Sequence, residues 1–182
     1  LAIKLFLAFT TEFPGDVRGF NFSNMPSSAF IDDADKVVTI ENWGGFETTG
    51  PQSFRRCSQL QAVNSTDAPY LTGGNHGLGM FLNCGKLKYI TNIENWYTAN
   101  LTIMASMFNG CGAFDGNLSQ PDLSSWNVSN VTNMALMFFN CNNFDGQLFQ
   151  VTSTTSNIDS MFQGATSFNN NTNFLPITGW DV

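Results

Sequence analysis

Between Trp126 and Phe144 the chain reads WNVSNVTNMALMFFNCNNF, and its apolar residues keep a three-residue beat: Val128, Val131, Met134 and Met137, then Phe138, Cys141 and Phe144. A helix repeats near 3.6 residues and a half-buried strand near 2, so a sustained beat of three suits neither. The spacing predicts a chain that winds around a core through tight corners. Winding of that kind requires repetition, and the rest of the sequence supplies it.

The pair Phe138 and Cys141 recurs as Phe54 and Cys57, Phe81 and Cys84, and Phe108 and Cys111; Phe162 and Ala165 form a fifth copy with Ala in the cysteine slot. Cys57, Cys84 and Cys111 are 27 apart, and Cys141 follows after 30. Three residues beyond each marker stands a large apolar residue: Leu60, Leu87, Phe114, Phe144 or Phe168. A second ladder pairs an apolar residue with a Trp three positions on, giving Trp43, Trp96, Trp126 and Trp180. Tyr70 falls midway between Trp43 and Trp96 and is expected to fill the missing position. Fixed periods in the twenties are the signature of arrays whose units bury their apolar side only against neighbours. The expected fold is therefore a repeat solenoid, a curved leucine-rich-repeat-like stack of short β-strands and turns. It would have about five to six rungs and an N-terminal β cap.

Composition narrows the partners. The chain of 182 residues carries seven Lys plus Arg and a net charge of −7, with no basic run to neutralise phosphates, which argues against nucleic acid and against adhesion to anionic lipid. No stretch has the length or purity of a membrane span, so no direct membrane insertion is expected. Eighteen Phe with few charges suit a packed interior. The four cysteines share one phase of the repeat, so they are expected in a single interior file. Side chains there run parallel and do not converge into bridges, so free buried thiols are the expectation.

The opening LAIKLFLAF alternates like a strand, and Lys4 interrupts any apolar segment. Residues 1–28 are read as an N-terminal β segment or cap, or the end of a preceding domain, and 29–182 as the repeat domain. With no initiating Met and an abrupt stop after Trp180, the chain reads as a window of a longer or processed protein. The longer interval between Phe108 and Phe138 places a bulging outer loop around Leu118 to Leu123, which includes Pro121.

Little in the sequence carries chemistry. His76 stands alone in a glycine-rich loop, and the Asp-Gly pairs after Phe114 and Phe144 are turn dipeptides without the oxygen spacing calcium needs. Asp32, Asp33 and Asp35 read as a solvated charge run. No catalytic, cofactor-binding or metal site is expected, and an enzyme is not expected. Seven Asn-x-Ser/Thr sequons, at Asn21, Asn64, Asn100, Asn117, Asn127, Asn130 and Asn170, are possible glycosylation sites, although Asn127 and Asn130 belong to the repeat itself.

The Trp126-to-Met134 run, with Met137, Phe138 and Cys141, resembles the 26-residue repeat of bacterial surface lipoproteins in the BspA-like leucine-rich-repeat group. The resemblance extends from about Val37 to Val182, with departures at Gly73 to Gly79 and at Val151 to Ser156, where the Trp is lost. It implies a curved array on an extracellular or cell-surface protein, or on a virion, serving adhesion. The expected function is thus a non-enzymatic surface module that binds protein or glycan on another surface. The alternative is a structural subunit or spacer of a fibre, capsid or appendage, whose partners would be neighbouring subunits.

Overall fold

The computed structural model describes residues 34, 36–44, 50–115 and 121–168, together with the backbone of Ile3–Phe6. Its sheet has four parallel strands in chain order: β1 (Ile3–Phe6), β2 (Val37–Asn42), β3 (Ala62–Val63) and β4 (Tyr89–Ile90). β1 meets β2 with register shifts between Ile3 and Lys4 and between Leu5 and Phe6. Even in β2 the buried residues are Val37 and Ile40, three apart, and Trp43 continues the series just beyond. One 3-10 turn, Ile93–Asn95, follows β4.

The expected leucine-rich-repeat-like solenoid of five to six rungs with an N-terminal β cap is overturned. Continuous sheet ends at Ile90, and two of its four strands are only two residues long. Beyond it, pairing among the described residues is reduced to three isolated parallel bridges, Ile103 with Asn133, Asp122 with Gln147, and Asn133 with Asn157. β1 is the edge strand of this sheet and pairs in parallel with β2. Of the segment 1–28 only Ile3–Phe6 belongs to the described residues.

The physical reason lies in the turns. The copy around Phe108 closes i-to-i+3 bonds from Met107 to Met104, Asn109 to Ser106, Cys111 to Phe108 and Phe114 to Cys111, at 2.9–3.2 Å. The copy around Phe138 repeats the set. Each copy also holds two residues four apart at positive φ: Gln52 and Arg56, Gly79 and Asn83, Ser106 and Gly110, Leu136 and Asn140, Ser160 and Gly164. The second of each pair is the third residue of the marker turn, where a type II turn demands positive φ. A three-residue beat is what such overlapping turns produce, and their left-handed corners prevent extended strand from forming.

Alternate N–H groups of each turn segment donate to carbonyls one copy onward. Phe54 donates to Met80 O at 2.8 Å, Phe81 to Met107 O at 2.9 Å, Phe108 to Met137 O at 3.0 Å and Phe138 to Met161 O at 2.9 Å. That parallel apposition brings the marker rings together. Phe54, Phe81, Phe108, Phe138 and Phe162 stack at centroid spacings of 5.5–5.8 Å. A second file, Phe114, Phe144 and Phe168, runs beside it at 6.1 and 5.9 Å. Stacked pairs contribute about 0.5–1.5 kcal/mol each beyond the area they bury, so the files are a large share of the core's cohesion.

Arg56 exposes a local conflict. It occupies the turn position held elsewhere by Asn83, Gly110, Asn140 and Gly164, at φ 63°, and its side chain is exposed. A long side chain in the left-handed region costs roughly 1–2 kcal/mol, with no packing here to offset it. The substitution Arg56→Asn is expected to stabilise the protein by about 0.5–1 kcal/mol, read as a raised Tm. A lowered Tm would contradict this account of the turn.

Candidate functional site

The ladder residues named from the sequence occupy the interior. Trp43, Phe54, Cys57, Phe81, Cys84, Phe108, Cys111, Phe138 and Cys141 are fully buried, Trp96, Trp126 and Ala165 nearly so, and Phe162 is half-buried. Trp180 lies outside the described residues. The four cysteines are free, and they do more than fill space. The Cys84 thiol donates to Phe54 O at 3.1 Å, Cys111 to Phe81 O at 3.2 Å and Cys141 to Phe108 O at 2.9 Å. Each therefore satisfies a carbonyl of the preceding copy.

Tyr70 does not fill the gap in the Trp ladder. Trp43 and Trp96 meet directly, edge to face at 5.7 Å, while Tyr70 is 59% exposed. The ladder continues from Trp96 to Trp126 at 6.1 Å and then to Phe149 at 6.2 Å. Phe149 thus takes the place of the Trp missing from that copy. The spacing of 23 residues from Trp126 hid it.

A cleft of about 550 Å³ lies beside Tyr70. One wall is the segment 67–72; the other comes from the following copy as Asn95, Tyr97 and Asn100. Tyr97, 64% exposed, and Tyr70 are the two exposed large hydrophobic residues among those described, and they are 27 positions apart.

The segment before this wall is anchored on both sides. From the preceding copy, Trp43 N–H donates to Asp67 Oδ1 at 2.9 Å and to Ser65 Oγ at 3.2 Å, and Gly44 N–H donates to Asp67 Oδ2 at 2.8 Å. The Ser65 hydroxyl also donates to Asp67. From the following copy, Thr91 Oγ1 donates to Ser65 O at 2.8 Å and Asn92 Nδ2 to the same oxygen at 3.1 Å. Partial burial works to raise the Asp67 carboxyl, but the bonds from Ser65, Trp43 and Gly44 outweigh it and hold the group below its ordinary value. Asn92, at φ 56°, then starts the 3-10 turn that ends at Asn95 and presents Tyr97 just past buried Trp96.

Elsewhere the polar residues serve the fold. His76 is nearly buried, and its Nδ1 accepts the Gly73 N–H at 3.3 Å. No group of three or more metal-binding side chains gathers among the described residues. Of the sequons, Asn130 donates to Ala99 O at 2.9 Å, Asn127 accepts the Ser129 N–H at 3.0 Å, and partly buried Asn64 faces Glu41. Exposed Asn100 lines the cleft, whereas Asn21, Asn117 and Asn170 lie outside the described residues, as do Asp32, Asp33 and Asp35. Half of the bulge expected around Leu118 to Leu123 falls on residues outside the description, and in its described half Pro121 and Leu123 are buried while Asp122 is exposed. No described helix is long and apolar enough to cross a membrane.

Among the described residues, successive copies of a repeat meet through turns, and an aromatic recess opens beside Tyr70 and Tyr97. The family model described as a Mycoplasma protein of unknown function, DUF285, matches residues 76–182, more than half of the chain, and the chain belongs to this family. That membership does not carry the leucine-rich-repeat assignment. No curated protein and no solved structure matches the chain.

Burial pushes the Cys84 and Cys111 thiols well above the ordinary value, with neighbouring thiols adding to it, and burial raises Cys141 to about 12. Unfolding frees each to ionise near its ordinary value of about 8.5. The stability they contribute is complete below that pH and declines as pH rises toward 12, by roughly 1 kcal/mol per pH unit for each thiol. Urea unfolding at pH 7, 9 and 10 is expected to show this decline, flattened in the triple variant C84A/C111A/C141A. A profile unchanged by that triple substitution would contradict the assignment.

Proposed function

We propose that the chain is a non-enzymatic binding module displayed outside the cell, engaging protein or glycan on another surface. On this reading it is a divergent relative of the BspA-like bacterial surface lipoproteins that its Trp126-to-Phe144 segment resembles. The cleft between Tyr70 and Tyr97 carries the reading. Exposed aromatic faces on an anchored wall are what recognition sites offer, since they give contact area with little side-chain entropy to lose. Three of the four thiols donate to carbonyls, His76 accepts a backbone N–H and Asp67 accepts three hydrogen bonds. Membership of a Mycoplasma family is compatible with a role at a cell surface.

The purified, fluorescently labelled chain is expected to bind cultured epithelial cells saturably, and to release neither reducing sugar nor peptide from them. Absence of saturable binding, or measurable turnover, would overturn the proposal.

A further inference from the structure

We infer that the Tyr70–Tyr97 cleft binds an uncharged oligosaccharide, an inference that rests on the surface-binding reading and names its ligand class. Three observations converge on it. First, the cleft, at about 550 Å³, falls in the roughly 300–1,000 Å³ range of small-ligand sites, large enough for a short oligomer and small for a folded protein partner. Second, its exposed large aromatic residues are two tyrosines from adjacent copies, each an apolar face with a polar rim. The faces of sugar rings, apolar C–H on one side and hydroxyls around the edge, are complementary to that arrangement.

Third, the polar groups match hydroxyls and not ions. Asn95 and Asn100 bring amides that both donate and accept, as a hydroxyl does. Asp67 is the sole charged residue of the lining, and both its carboxylate oxygens are taken by Trp43, Gly44 and Ser65. A cationic ligand would find a single carboxylate, fixed within the wall by three hydrogen bonds, and no second acidic residue to hold it. An anionic one would meet that carboxylate and no Lys or Arg.

The test uses the full 182-residue chain from bacterial expression, with the Asn100 sequon unmodified, titrated by saturation-transfer NMR and calorimetry. The probes are a panel of neutral oligosaccharides of hexose, fucose and N-acetylhexosamine, a heparin-derived tetrasaccharide and a tetralysine peptide. At least one neutral oligosaccharide is expected to saturate. Tyr70→Ala and Tyr97→Ala should each weaken it tenfold or more, and Tyr97→Trp should leave it within about threefold. Because both side chains are exposed, the melting temperature should not move in any of the three variants. Failure of every neutral sugar, preferential binding of heparin fragment or tetralysine, or affinity unchanged in the alanine variants would overturn the inference. Cell binding that survives in the double variant Y70A/Y97A would sink the saccharide assignment alone, whereas loss of cell binding by the native chain would sink the broader reading.

Discussion

The backbone of three marker phenylalanines, Phe54, Phe81 and Phe108, is tied to the following copy at both its polar atoms. In the middle of the chain, Phe81 N–H donates to Met107 O, while Phe81 O accepts the Cys84 N–H within its own turn and the Cys111 thiol from the next copy. A carbonyl has two lone pairs, and a buried one left under-satisfied costs free energy. Cysteine suits this position because it is small enough for the interior and still carries a weak donor. The stacked rings then follow from the backbone, since segments held at hydrogen-bond distance bring equivalent side chains face to face.

Side chains on the turns extend the same logic outward. Thr98 Oγ1 donates to Asn127 O, Thr132 Oγ1 to Thr102 O, Thr155 Oγ1 to Val131 O and Ser125 Oγ to Glu94 O, each across one copy. Even the indole of Trp126 donates to Ile93 O at 2.8 Å. Turns leave backbone carbonyls that no strand partner satisfies, and the abundant Ser, Thr and Asn supply the missing donors. Between the two described ends this substitutes for a continuous sheet. The same scheme fixes Asp67 through the Trp43 and Gly44 N–H groups, three residues before exposed Tyr70.

Much of the interior was legible in the sequence because a beat of three and intervals of 27 and 30 residues survive any local irregularity. The architecture was not. The beat marks tight corners without saying how each is made, and they are closed by positive φ at Arg56, Ser106, Leu136 and Ser160, residue types that give no warning of it. Tyr70 misled for a different reason: phase predicts which way a residue points only if the local path is regular, and the Ser65–Asp67 anchor bends it. Phe149 was missed because a shortened copy shifted its phase. Tyr97 stands one 27-residue interval past Tyr70, but only the fold brings it and Asn95 opposite the segment 67–72.

The central claim is that parallel backbone bonds between copies run through the whole described chain and not just through the sheet that ends at Ile90. Amide hydrogen exchange, read residue by residue by NMR, tests it most directly. The account predicts that the N–H groups of Phe54, Phe81, Phe108 and Phe138 exchange slowly and with similar opening free energies. Protection confined to residues before Ile90, with Phe108 and Phe138 exchanging as in an unstructured chain, would contradict it.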